Sequence, residues 1–147
     1  MRRRSPLLSF PAGPAAVGIA SGALMLLAVF LPWYAANLGP PASSGTASGW
    51  DATAVAKGAL VLGIIWMLAS GLLLADHLDA YRVDPRTAEA LGWLVAGCAL
   101  LAGALVAYRL FRPPDPADFL SRDFGLFVGL VAAAIGVTAG LAQASRR

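Results

Sequence analysis

A chain of 147 residues that is 59% hydrophobic and 13% charged is not an ordinary soluble domain. Soluble chains carry about a quarter charged residues, and a core of this length could not hide so much apolar surface from water. The formal net charge of +3 sits at segment ends and builds no nucleic-acid-binding face, so a nucleic-acid partner is not expected.

Residues 1–14 hold Arg2, Arg3 and Arg4 followed by three prolines, which prevent a regular helix. This reads as a basic cytoplasmic tail, with Phe10 near the interface. Residues 15–34 form the first spanning candidate. They carry no charge and reach the roughly 20 residues that a bilayer core requires. A cleaved leader is the competing reading. It is disfavoured because the run is long and ends in Pro32-Trp33-Tyr34 rather than at a small-residue cleavage site. Gly18 and Gly22 form a GxxxG pair, a spacing that allows close helix approach.

Residues 35–53 are a Gly-, Pro- and Ser-rich loop between Trp33 and Trp50. It has room for a turn or short hairpin, and Ser48 or Asp51 is placed to cap the next helix. The second span covers about 56–75. Lys57 at its start can snorkel, and Trp66 lies near its centre, where its indole N–H needs a partner on a neighbouring helix. The link 76–87 carries Asp76, His77, Asp79, Arg82, Asp84 and Arg86. One histidine and two carboxylates on a short link are too few for a closed metal site, so a solvated connector is expected. Asp84-Pro85 predicts a helix start, with Glu89 in its first turn.

The third span covers about 88–110 and is closed by Pro113-Pro114. Its one cysteine, Cys98, is the only one in the chain and excludes an intrachain disulfide. In the third loop, Asp115 to Asp118 predicts a short interfacial helix carrying Phe119 and Leu120, with Ser121 or Asp123 capping the last span. The fourth span covers about 124–143. Gly125 and Gly129 are four apart, as are Gly136 and Gly140, with Ala132 and Ala133 between the pairs. This small-residue stripe is the strongest helix-packing signal in the chain.

Four spans put both termini on one side of the membrane. With that side as cytoplasm, Arg2, Arg3, Arg4, Arg82, Arg86, Arg146 and Arg147 lie inside, and Lys57, Arg109, Arg112 and Arg122 outside. This imbalance predicts N-in, C-in topology. Trp33, Tyr34, Trp50, Tyr108, Phe111 and Phe124 then mark the outer interface.

Away from their ends the spans hold no Asp, Glu, His, Lys or Arg. Ser21, Ser70, Cys98 and Thr138 are the polar residues at depth. Proton relays and ion-coupled carriers place ionisable groups inside, so these classes are disfavoured. No nucleophile–base set, HExxH, CxxC or phosphate loop is present. No catalytic residue, cofactor or metal is expected. Trp33, Tyr34 and Trp50 remain as candidate contacts to lipid or to a partner protein. The bland reading for them is an aromatic belt; the sharper one is a recognition surface, since aromatics dominate interface hot spots.

Leu31-Pro32-Trp33 closing the first span, Ser48-Gly49-Trp50-Asp51 before the second, Tyr108 to Pro114 after the third and Asp123 to Phe127 opening the fourth form a pattern. From Leu31 to Gly140 the chain resembles uncharacterised small four-span integral membrane proteins of actinobacteria. The resemblance implies a four-helix plasma-membrane protein, carries over no catalytic residue, and does not extend to the basic tail or to Asp76–Arg86.

The expectation is an all-α, four-helix transmembrane bundle in one domain, N-in and C-in. Its expected role is that of a non-enzymatic envelope or accessory subunit that contacts membrane lipid and a membrane-protein partner or a second copy of itself. The alternatives are an oligomeric pore lined by glycines and backbone carbonyls, and an enzyme using the outer-loop carboxylates Asp51, Asp115, Asp118 and Asp123.

Overall fold

The computed structural model describes residues 13–36, 45–52, 54–112, 120–122 and 124–145. In chain order the elements are α1 (Gly13–Phe30), β1 (Pro32–Ala36), β2 (Gly45–Ser48), α2 (Gly49–Ala52), α3 (Ala54–His77), α4 (Pro85–Phe111), β3 (Leu120–Arg122) and α5 (Phe124–Ser145). The basic tail through residue 12, the Asp115–Asp118 segment with Phe119, Asp123, Arg146 and Arg147 lie outside the described residues. The side chain of Asp51 does too.

The four long helices have mean hydropathies of 1.9 to 2.2 and are long enough to cross a membrane. The shortest, α1, has 18 residues and reaches about 27 Å at 1.5 Å per residue, close to the roughly 30 Å hydrocarbon core. The chain is therefore a four-helix membrane bundle. Each long helix packs against two others, in the cyclic order α1–α3–α4–α5.

Antiparallel neighbours follow from matched levels. Gly18 of α1 lies beside Ser70 of α3, while Gly22 lies beside Met67 and Gly63 beside Met25. On the other side, Gly140 of α5 lies against Ala96 of α4 and Gly92 of α4 against Ala144 of α5.

Trp66 belongs to one continuous core with Met25, Val29, Val95, Ala99, Val106 and Ala132, all fully buried. The Trp66 indole N–H donates to the Gly18 carbonyl of α1 at 3.1 Å. Its ring lies against two glycines: a methyl group built at Gly22 would sit 2.9 Å from Trp66 Nε1, and one at Gly136 would sit 3.2 Å from Trp66 Cζ2. A tryptophan fits in the middle of a membrane bundle because its neighbours have no side chains and its one donor has an acceptor.

Three departures from the sequence expectation have physical causes. The first helix ends at Phe30, not at Tyr34, because a residue preceding proline is pushed out of the helical region and Leu31 precedes Pro32. The chain then turns into β1, which pairs antiparallel with β2 on one side and with β3 on the other. A three-stranded sheet built from the first and third loops therefore closes one end of the bundle. Leu120 and Ser121 lie in β3, with Ser121 opposite Ala35, so Leu120 belongs to a strand and not to an interfacial helix. Finally, Asp84 stands at the N-cap of α4 but its side chain makes no capping bond, and Glu89 falls beyond the first turn, which holds no acidic residue.

At the opposite end, α3 stops in a tight turn. Asp79 has φ 56°. The Ala80 N–H donates to Ala75 O at 2.9 Å and the Asp79 N–H to Asp76 O at 3.2 Å. This is the paired bonding of a Schellman stop, with aspartate where glycine is usual. Asp76 Oδ1 accepts the Val83 N–H at 2.9 Å, and His77 Nδ1 lies 2.7 Å from Leu73 O. Both groups serve the turn.

Candidate functional site

The sheet-closed end is where the sequence places its candidate contacts, and β1 decides what they do. Its register with β2 slips between Pro32 and Tyr34, which makes Trp33 the extra residue of a β-bulge. A bulge interrupts the alternation of side chains between faces. Trp33 and Tyr34 are accordingly both buried, at 0% and 1% exposed.

Each supplies a donor to the end of a helix. The last carbonyls of a helix have no intrahelical partner. Trp33 Nε1 donates to Ala28 O in the last turn of α1 at 2.7 Å. Tyr34 Oη donates to Arg109 O in the last turn of α4 at 2.8 Å. The Trp33 ring is held between two glycines: a methyl group at Gly49 would lie 2.7 Å from its Cδ2, and one at Gly125 would lie 2.8 Å from its Cδ1. Trp33 and Tyr34 therefore face the protein interior and not lipid or a partner. The cause is the bulge, together with the helix-end carbonyls of Ala28, which also accepts the Leu31 N–H at 3.2 Å, and of Arg109, toward which the two donors turn.

Trp50 is different. It lies on the single turn α2 and is 39% exposed. Its ring stacks on Phe30 with centroids 5.7 Å apart and planes inclined by 28°, and Phe30 is itself 58% exposed. Lys57 Nζ lies 4.9 Å from the Trp50 ring centroid, within reach of a cation–π attraction. Phe30, Trp50 and Lys57 thus come from α1, α2 and α3 to make one exposed apolar-and-cationic patch at the rim of the cap. Tyr108, Phe111 and Phe124 are exposed at the same end, and Arg109 lies against the Tyr108 ring at 5.6 Å.

The six small-residue positions are all buried. Gly22 and Gly136 accommodate Trp66, Gly125 accommodates Trp33 and the Pro32 carbonyl, Gly18 lies against Ser70, Gly129 against Val106, and Gly140 against the backbone of Ala96. Every one of these contacts is made within the chain.

Sequence reasoning missed Phe30, Lys57 as a ring partner of Trp50, and Gln143. Gln143 follows Gly136 by seven residues and Gly140 by three, so helical spacing puts it on the same face; that was the available signal. Its Nε2 donates to Ala139 O at 3.1 Å and to Pro14 O of α1 at 3.3 Å. Among the described residues, Gln143 Oε1, Ser70 Oγ and Arg109 Nε are buried without a hydrogen-bond partner. Ser21 and Thr138 bond back to carbonyls of their own helices, at 3.0 and 2.9 Å. Among the described residues no three His, Cys, Asp or Glu side chains converge. Comparison with protein-family models and with curated proteins returns no match to this chain.

Proposed function

We propose that the protein is a non-enzymatic, multi-pass subunit of a bacterial plasma membrane that acts by contact with another membrane protein. In this reading both chain ends are cytoplasmic and the three-stranded cap lies outside. The single observation that carries it is the Phe30–Trp50–Lys57 patch. Of the three aromatics singled out in the sequence, Trp50 alone stands at the surface, stacked on Phe30 beside the cap. Aromatic anchors dominate interface energetics. The orientation is supported by the count of basic residues in the sequence, seven on the side assigned to the two termini and the α3–α4 link against four on the other, and the bacterial origin by the actinobacterial resemblance.

The test is affinity purification in mild detergent, comparing the natural chain with Trp50→Ala. A partner recovered reproducibly with the natural chain is expected to be lost or reduced at least tenfold in the variant, at an unchanged melting midpoint. Failure to recover any reproducible partner, or equal recovery by both chains, sinks the reading. Orientation is read separately by single cysteines at the exposed positions Ala54 and Ala80, each introduced into a Cys98→Ala background. A membrane-impermeant maleimide is expected to label Ala54→Cys in intact cells and Ala80→Cys only after permeabilisation. The reverse pattern would overturn the topology.

A further inference from the structure

Among the described residues, the Ser70 hydroxyl of α3 and the Gln143 carbonyl of α5 are buried polar atoms without a hydrogen-bond partner, at the end away from the cap. Ser70 is 0% exposed and Gln143 6%. Their helices are not packed neighbours, because α1 and α4 separate them in the ring. Both side chains nevertheless reach the same residue of α1. A Cβ built at Gly18 would collide with Ser70 Oγ and would lie 3.1 Å from Gln143 Nε2. An unused hydroxyl and an unused carbonyl thus come together inside the bundle beside one glycine.

Neither atom satisfies the other. Gln143 Nε2 donates to Ala139 O at 3.1 Å and to Pro14 O at 3.3 Å. Those two acceptors fix which end of the amide is nitrogen and hold its plane. Flipping the amide would break both bonds and set oxygen against oxygen. Ser70 also differs from Ser21 and Thr138, whose hydroxyls bond back to carbonyls of their own helices; that route relieves a helical hydroxyl, and Ser70 Oγ does not take it.

The ligand that these two groups select must donate to a carbonyl, accept from a hydroxyl, fit a close-packed interior and carry no charge. No Asp or Glu lies within five residues of Gly18, Ser70 or Gln143, and a buried cation without a countercharge is costly. The site is also close to the aqueous side. Gln143 stands two residues before the end of α5 at Ser145, about 3 Å at 1.5 Å per residue. Water meets every condition, and buried waters characteristically bond polar groups that the protein leaves unsatisfied.

We propose that Ser70 and Gln143 bind one water molecule, which accepts the Ser70 O–H and donates to Gln143 Oε1. It joins α3 to α5, two helices that otherwise do not pack together. This site is independent of the partner proposed for Trp50.

Gln143 is the only glutamine in the chain, so glutamine isotope-labelled at its side-chain amide reports this one position. The full chain is studied in mixed micelles by two signals. One is the rotating-frame cross-relaxation peak between the amide protons and water, whose sign separates a bound water from proton exchange. The other is the infrared stretch of the labelled carbonyl, which drops in frequency when the oxygen accepts a hydrogen bond. The natural chain is expected to show the water peak and a lowered stretch. Ser70→Ala is expected to reduce the water peak at least threefold and to raise the stretch. A lowered stretch without the water peak would mean a direct Ser70–Gln143 bond and overturns the proposal. So does a free carbonyl without the water peak, which would mean a dry site, or a water peak that Ser70→Ala leaves unchanged. Should Ser70→Ala not fold, Ser70→Cys, a weaker donor of similar shape, takes its place with the same expected directions.

Discussion

Gly140→Ala is expected to be among the most damaging single methyl additions in the chain. A Cβ at this position would lie 2.7 Å from Ala96 Cα and 2.9 Å from Ala96 Cβ, and closer still to the Ala96 nitrogen. Carbon atoms pack optimally about 3.5–4.0 Å apart, so α4 and α5 would have to separate by about 1 Å. The obstacle is backbone, and no rotamer change relieves it. A gap of 0.5–1 Å forfeits a quarter to a half of the dispersion energy across the contact, and overpacking of this kind costs about 1–3 kcal/mol, sometimes more. We expect about 3 kcal/mol. Gly97→Ala is the control, because nothing lies within 4 Å of a Cβ built there; helix propensity predicts no loss and a gain of up to about 1 kcal/mol. The assay is equilibrium unfolding in mixed micelles, following tryptophan emission and helical circular dichroism together. A Gly140→Ala loss below about 0.5 kcal/mol, or equal losses for the two variants, would refute the reasoning.

Tyr34→Phe removes the hydroxyl that caps α4 through Arg109 O while leaving the ring in place. It is expected to cost about 1 kcal/mol in the same unfolding assay, and an unchanged stability would mean that water satisfies the carbonyl equally well. Asp79→Gly relieves a left-handed residue at the end of α3 and removes a carboxylate from the negative end of the helix dipole. A gain of about 0.5–1 kcal/mol is expected, read as a melting midpoint about 1–4 °C higher; a lower midpoint would show that the aspartate is required there.

The four helices were legible because hydropathy and length alone define a span, and none of that depends on distant residues. The donor requirement of Trp66 was legible for the same reason: an indole N–H buried in an apolar bundle has to be satisfied wherever the helix places it. The cap was not legible. Trp33 and Tyr34 look identical to belt residues in sequence, because an apolar aromatic after a span fits either lipid or a protein interior. Their burial depends on a bulge and on β3, which pairs with Tyr34 from Arg122, far along the chain. The small-residue stripe was legible as packing, but spacing alone could not show which partners it serves. Gly22 and Gly136 make room for one indole, and Gly125 for another. The Trp50 patch escaped notice as a unit because Phe30, Trp50 and Lys57 belong to three different elements.

The pairing of β1 with β3 has a consequence for biogenesis. Residues 32–36 leave the ribosome early, yet their partner strand at 120–122 emerges after two further helices. At about 5–20 residues per second, the first loop must wait on the order of ten seconds for that edge to be covered. Over the same interval Trp33 lacks the Gly125 wall of its pocket and Tyr34 lacks Arg109. The sheet can therefore close only on a chain whose fourth segment has been delivered, so its closure marks completed insertion. Until then, an unpaired edge and two unsheltered aromatics stay open to whatever quality-control factors survey nascent membrane proteins.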